Sequence, residues 1–310
     1  MLSRLIEPFK KLLYHGLEVR SFIITRLREE EITQQVILIS DHRQIDISTR
    51  HAMICLDPFS VGIWLPHPAV PNSTNVTIHF INKKKKRAKL QLELIEKTAY
   101  ENDVLLLYKA VSARCYQLNS FTRFMTLYFF LRNISSTYRQ RKFIAALYSY
   151  PRKIISVSYK EEDYVNIFPM DIQGYVRDSG LYILGLRTTN YTLEKILTTK
   201  KLVVGDTHSA DLKTIYSLGR HLSKSPPAFD SMPFNTINSE LYGFPVPDYC
   251  SSYKELEIIA NKNMGYHMLM IGRIVSSKQT IESPSSLQHL HIFEFVRSGY
   301  DNISNKIHYS

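Results

Sequence analysis

Residues 154–204 hold the side chains best suited to chemistry in this chain. A strand-like run reaches Asn166, the segment FPMDIQG follows, and a second strand-like run, LYILGLR, ends at Arg187. A hydroxyl-rich turn, TTNYT, then leads into a short helical stretch, LEKIL. Thr188, Thr189, Asn190 and Thr192 put short donors at a helix start, where unpaired amides and the helix dipole favour an anion. Arg187 adds a fixed charge with forked donors, a geometry that suits phosphate. Backbone amides beyond Asn166, in the stretch holding Phe168, Met170, Asp171 and Ile172, can face a planar ring. The order of parts suits a phosphorylated ligand with a flat ring.

Other chemistries find little support. Glycine is scarce, at 11 residues, and neither G-x-G-x-x-G nor G-x-x-x-x-G-K-[ST] occurs. There is no H-E-x-x-H and no G-x-S-x-G elbow. His289 and His291 share a strand face, but no further ligand stands at a spacing that would hold a metal. Glu161, Glu162 and Asp163 read as solvated hairpin charge. Cys55, Cys115 and Cys250 form no C-x-x-C pair and read as buried thiols of a reducing cytoplasm. The net charge of +11 and the run KKKKRAK (83–89) raise the question of nucleic acid. That run sits between two strand-like segments, as a hairpin turn would, without the aromatic platforms a nucleic-acid surface needs. Leu2, Leu5, Ile6, Phe9, Leu12 and Leu13 recur at helical spacing and predict an amphipathic helix packed on its own domain rather than on a membrane. No segment has the apolar length to span a bilayer.

The elements that must position these residues are strands. The 20 tyrosines and 15 phenylalanines favour them, and a hydrophobic share of 44% with 22% charged residues indicates a packed globular protein. The order NIFPMDIQGYV, TLEKI and GYHMLMIGRIV resembles the flavin reductase-like family, the FMN-binding split β-barrel proteins. Members carry N-I-x-x-x-x-W-x-G-x-V, then a phosphate turn of the S/T-x-x-T-L-E-x-I kind, then a closing strand near H-x-L-F-x-G-x-V. Asn166, Ile167, Gly174 and Val176 fall on the first pattern, Thr192 through Ile196 on the second, and His267, Leu269 and Gly272 on the third. The resemblance covers about residues 145–280, roughly half the chain. It departs at Ile172, where the family often has an aromatic, and near Asp178–Gly180, which lacks the family's proline pair.

The resemblance implies a β-rich fold of the α+β class, a Greek-key split barrel. It implies FMN, or alternatively FAD, along Asn166, Phe168, Met170, Asp171 and Ile172, with its phosphate on Arg187, Thr188, Thr189, Asn190 and Thr192. It also implies NAD(P)H as co-substrate, His267 as the catalytic histidine, a homodimer, and a flavin-dependent partner enzyme. The expected activity is NAD(P)H-dependent flavin reduction in the cytoplasm. The departures leave two further readings open, a non-catalytic split-barrel module that has lost flavin and a basic surface-binding protein.

The first half echoes the second. LELI (92–95) lies over LEII (256–259), and VLLLYKAVSA (104–113) over MLMIGRIVSS (268–277), both at an offset of 164. The echo predicts two tandem split-barrel-like units, the first a degenerate copy without the phosphate turn and helix. The expected organisation is an N-terminal helical segment (1–30), a degenerate unit (31–117), a helical linker (118–149) and the flavin reductase-like barrel (150–310).

Overall fold

The computed structural model describes residues 22–100, 102–116, 136–300 and 306–309. After β1 (Phe22–Leu27), seven strands follow in close succession. They are β2 (Gln34–Ser40), β3 (Arg43–Asp46), β4 (His51–Leu56), β5 (Phe59–Pro66), β6 (Asn75–Asn82), β7 (Lys85–Tyr100) and β8 (Asp103–Cys115). Helix α1 (Ser136–Leu147) and the short β9 (Arg152–Lys153) lead to a second set. This set opens with β10 (Ile155–Glu161), β11 (Tyr164–Met170), β12 (Gln173–Val176) and β13 (Leu181–Arg187). Helix α2 (Tyr191–Thr199), β14 (Lys201–Gly205) and α3 (Leu212–Leu218) come next. The small hairpin of β15 (Thr236–Asn238) and β16 (Pro245–Pro247) precedes β17 (Ser252–Asn263) and β18 (His267–Gln279). Finally come β19 (Ser286–His291), α4 (Ile292–Ser298) and β20 (Lys306–Tyr309).

The first sheet runs β3-β2-β6-β7-β8-β5-β4 and the second runs β11-β10-β14-β17-β18-β13-β12. Matched strand by strand in chain order, with β15 and β16 set aside, the two orders are the same. The agreement reaches single residues. The β7–β8 ladder shifts register between Gln91 and Leu92 and again between Leu94 and Glu96. The β17–β18 ladder does so between Glu255 and Leu256 and between Ile258 and Ala260, each 164 residues further on. β-Bulges bend and twist a strand locally, so two at the same places give both long hairpins the same curl. The chain is therefore a β-rich tandem of two like sheets. The second differs mainly by α2 after β13 and by the long insertion between β14 and β17.

Local sequence explains the elements. In β2 the buried positions Gln34, Val36, Leu38 and Ser40 alternate with more open ones, the period of a strand with one inner face. β5 (FSVGIWLP) and β13 (LYILGLR) are buried almost throughout, because each packs one face on its own sheet and the other on the opposite unit. The turns Asp41-His42 and Lys83-Lys84 have positive φ at both residues, the conformation of a two-residue hairpin whose twist matches its strands. The lysine run thus begins in a turn.

Three stretches differ from the sequence expectations, and two expectations fall outside the described residues. Phe22–Leu27, inside the segment read as helical, is a strand clamped between β19 and β20. The Leu2–Leu13 pattern and the Phe121–Arg132 aromatic stripe lie outside the described residues. HLHIFEFV (289–296), whose sequence predicts one strand, is strand only to His291. There the imidazole Nδ1 accepts the Phe293 N–H at 3.2 Å, and this side-chain cap starts α4. The 223–249 stretch, whose Ser, Pro and Asn content predicts a segment too irregular for a core element, sends Phe244 and Val246 into the core.

Candidate functional site

The two units meet along β4 on one side and β12, β13 and β18 on the other. Ala52, Ile54, Trp64, Leu105 and Leu107 pack there against Val176, Ile183, Leu269 and Ile271. Gly174 is needed here. A Cβ on it would stand 2.5 Å from Trp64 Cη2 and 3.1 Å from the Ala52 Cβ. The ladders make Ala52 and Gly174 equivalent residues of the two units, so this contact sits where a two-fold axis would pass.

Around the expected phosphate turn, most of the candidate groups already have partners inside the chain. Asn166 is fully buried, and its Nδ2 donates to Thr192 Oγ1 at 2.8 Å. The Tyr164 hydroxyl lies 2.7 Å from the same Thr192 oxygen, and His221 Nε2 lies 2.8 Å from Asn166 Oδ1. Asn190 caps α2 by accepting the Thr192 N–H at 2.9 Å. The Tyr191 N–H is held by Ser223 Oγ, also at 2.9 Å. Thr188 Oγ1 lies 3.4 Å from the carbonyls of Gly265 and Tyr266, and the Arg187 guanidinium lies over the Tyr266 ring at 5.6 Å. Thr189 is exposed. The amides that open α2 are thus engaged by side chains of the chain itself.

The ring-facing candidates point in different directions. Phe168, Met170 and Ile172 are buried in the main hydrophobic cluster. Asp171 accepts from Tyr148 Oη and His289 Nδ1, each at 2.5 Å. Burial alone would raise its pKa, but His289 and Tyr148 hold the carboxyl below its usual value. His267 is 1% exposed, and its Nδ1 accepts the Leu56 N–H across the seam at 3.3 Å. Burial, aided by Arg187, pushes its pKa down to about 4, so the ring is neutral at pH 7.

A cleft of about 370 Å³ opens where the two units, β9 and the 282–288 segment come together. Thr49, Arg50 and His51 enter from the first unit, and Asp171, Gln173 and Gly174 from the second. Its aromatic wall is the pair Tyr175 and Tyr182, stacked 5.9 Å apart at an interplanar angle of 16°. Lys254 Nζ stands 5.2 Å over Tyr175 and the Arg177 guanidinium 6.0 Å from it, both within cation–π range. Arg152 lies deeper, 6% exposed, with Nη2 at 2.5 Å from His51 Nε2 and 3.3 Å from the Leu147 carbonyl. Burial lowers the Arg152 pKa to about 10, and burial together with the nearby Arg152 drops that of His51 well below the ordinary value. His51 is therefore a neutral acceptor. Ser286 Oγ and Gln288 Oε1, both buried in this wall, have no hydrogen-bond partner.

Of the site residues expected from the sequence, Asp171 lines this cleft; Arg152, Lys153, Tyr175, Tyr182 and Lys254, which also line it, are not among them. The first two sit at the start of the second unit, in β9, and Lys254 lies 101 residues beyond Lys153, on β17. Only the net charge hinted at them. Among the described residues no group of three or more His, Cys, Asp or Glu side chains is placed to hold a metal. Among them, too, no helix is long and apolar enough to cross a membrane.

No family model matches the sequence, and no curated protein does. Solved structures do resemble it. The FMN-binding protein from Thermus thermophilus, with bound p-hydroxybenzaldehyde, is 19% identical, with a TM-score of 0.38, over 42% of this chain and 73% of its own. The NADH:FAD oxidoreductase SgcE6 of Streptomyces globisporus is 12% identical, with a TM-score of 0.44, over 50% of this chain and 91% of its own. The flavin reductase PheA2 is 18% identical, with a TM-score of 0.41, over 51% of this chain and 95% of its own. The likeness to these split-barrel proteins is one of fold and covers about half of this chain.

Proposed function

We propose that this protein binds a flavin of the FMN type in the seam cleft and works as an NAD(P)H-dependent flavin reductase. The observation that carries the reading is the cleft itself. It lies between two like units, within the volume range of small-ligand sites, and is bordered by Asp171, Gln173 and Gly174. The expected phosphate turn fits a phosphate poorly, because Ser223 and Asn190 occupy its amides. The cleft fits better, with a flat aromatic wall and cations standing over it. Bound flavin would supply hydride acceptance; the chain supplies binding, orientation and electrostatics. Tyr175 and Tyr182 offer a face on which a planar ring can stack, and Trp64 seals the seam side against water. The Asp171 carboxylate, fixed by Tyr148 and His289, keeps a negative charge at the cleft edge. Such a charge opposes an anionic reduced ring and lowers the reduction potential. The first unit already covers the face of the second along the seam, so one chain suffices to build the site.

A second reading, a split-barrel module without flavin, is favoured by the closed network of Asn166, Thr192, Tyr164, His221 and Ser223. Incubating the purified protein with FMN, removing free flavin and recording the visible spectrum decides between them. Retained flavin absorbance, bleached by NADH or NADPH, is the expected result. A colourless protein would establish the module.

A further inference from the structure

The charges around the cleft do not balance within the chain. Four carboxylates line it, and three are engaged. Asp171 is held by His289 and Tyr148, Asp178 by Arg50 at 2.5 Å, and Glu29 by Arg177 at 3.7 Å. The fourth, Glu282, stands exposed at the rim. Among the described residues, Arg152, Lys153 and Lys254 have no carboxylate within 4.0 Å. Arg152 makes contacts only with neutral groups, His51 and the Leu147 carbonyl, together with the face of the Tyr150 ring. A buried cation without an anion is costly, and three like charges around one space repel each other. Burial, followed by the neighbouring Lys153, lowers the pKa of Lys254, and the more distant Asp206 only partly opposes it.

Two orphaned polar atoms belong to residues that line the same space. Ser286 is 2% exposed and Gln288 4%, and Ser286 Oγ and Gln288 Oε1 lack partners. Both come from β19, where Gln288 stands opposite Lys153 in the β9 ladder. Buried polar groups without partners cost about 1–3 kcal/mol each, so their presence points to a ligand that completes them. The Ser286 hydroxyl can donate to an anion. The Gln288 carbonyl oxygen can only accept, so it calls for a donor on the ligand. Three unpaired cations, one free hydroxyl and one free acceptor, beside a stacked tyrosine pair, describe a particular ligand.

We propose that the cleft contains an anion subsite, formed by Arg152, Lys153, Lys254 and Ser286, for the phosphomonoester of an aromatic ligand whose hydroxyl donates to Gln288. The proposal rests on the flavin reading for the identity of the ring, and it moves the phosphate away from the 187–192 turn. Riboflavin and FMN differ only by that phosphate, so their comparison isolates the subsite. The experiment titrates the full chain with FMN and with riboflavin by flavin fluorescence. It then repeats the titrations with inorganic pyrophosphate present, and in Lys254→Ala, Lys153→Ala and Lys254→Arg. Thermal unfolding confirms that each variant folds. FMN should bind at least about ten-fold more tightly than riboflavin, which corresponds to about 1.4 kcal/mol. Pyrophosphate should weaken FMN binding alone. Either alanine variant should bring FMN to the affinity of riboflavin, and Lys254→Arg should restore most of the difference.

Equal affinities for FMN and riboflavin, unmoved by the alanine variants, would overturn the subsite and leave the flavin reading standing. If neither flavin binds, calorimetry with pyrophosphate and 4-nitrophenyl phosphate takes over. Binding that is lost in Lys254→Ala then upholds the subsite while the flavin reading falls. No binding of either phosphate would overturn the subsite as well.

Discussion

Gly185→Ala tests whether the seam between the units is packed as tightly as it must be to form a cleft. Gly185 lies in β13, and an added Cβ would sit 2.5 Å from the Ile54 carbonyl oxygen of the opposite unit and against Ile172 Cγ2. Ordinary contact begins near 3.4 Å. The two units would therefore have to part by about 0.9 Å, the difference 3.4 − 2.5. The obstacle on the far side is backbone, at the irregularity between Met53 and Cys55 in β4, so no side-chain rotation relieves it. Overpacking of this kind costs about 1–3 kcal/mol. The alanine recovers about 0.5–1 kcal/mol through lower strand entropy relative to glycine. The net expectation is a loss of about 0.5–2 kcal/mol, read as a lower urea midpoint with an unchanged slope. Gly219→Ala is the control. Gly219 has φ −69°, its added Cβ would meet nothing closer than 3.5 Å, and the change should be neutral or slightly stabilising. If Gly185→Ala matched or exceeded the parent in stability, the close approach of β4 and β13 would be wrong, and the cleft with it.

Acid should destabilise the fold between pH 6.5 and about 4, because His267 is buried neutral with its pKa lowered from 6.5 to about 4. The unfolded chain binds the extra proton there, so the stabilisation is complete above pH 6.5 and is lost as pH falls. It amounts to roughly 3 kcal/mol from this site, and His267→Gln should flatten the urea-midpoint profile over that range. Arg187→Ala should change FMN affinity by less than about two-fold, since its guanidinium lies over Tyr266; a loss of ten-fold or more in a fluorescence titration would return the phosphate to the turn. Asn166→Ala should cost about 1–3 kcal/mol in urea, because Thr192 and His221 lose their buried partner; an unchanged midpoint would mean that network is not formed.

The sequence made the strands legible because their signal is local. LYILGLR is β13 residue for residue, and VLLLYKAVSA and MLMIGRIVSS fall at matched places in β8 and β18. Boundaries set by one side chain were harder. Nothing in HLHIFEFV by itself shows that His291 will turn back and cap a helix. The cleft was hardest, since it is assembled by the tertiary fold. Arg152, Lys254 and Gln288 come from three strands, and no motif joins them. The hydroxyl turn misled for a related reason. Thr192 and Asn190 have the composition of an anion site, but Tyr164, His221 and Ser223, supplied by β11 and the segment after α3, complete them instead.

A tandem pair has a freedom that a symmetric dimer lacks. In a two-fold dimer the same residue appears on both sides of the axis, and any change is made twice. Here the equivalent positions have separated. The Trp64 N–H bonds to the Arg50 carbonyl at 3.1 Å, and the Gly185 N–H bonds to the Ile172 carbonyl at 2.9 Å, so Trp64 matches Gly185 and Arg50 matches Ile172. By the ladders, His51 matches Gln173, Asp103 matches His267 and Pro66 matches Arg187. The bulk of Trp64 on one side fills the space left by Gly174 on the other, while at the equivalent pair of positions the residues are Gly185 and Ala52. Near the axis, Arg50 and His51 face the cleft from the first unit, while Gln173 and Gly174 face it from the second. The cleft is asymmetric because its two walls are encoded separately. That asymmetry puts the stacked Tyr175 and Tyr182 and the cations Lys254 and Arg177 on the second unit and Arg50 and His51 on the first, on a site that lies where the symmetry axis would be.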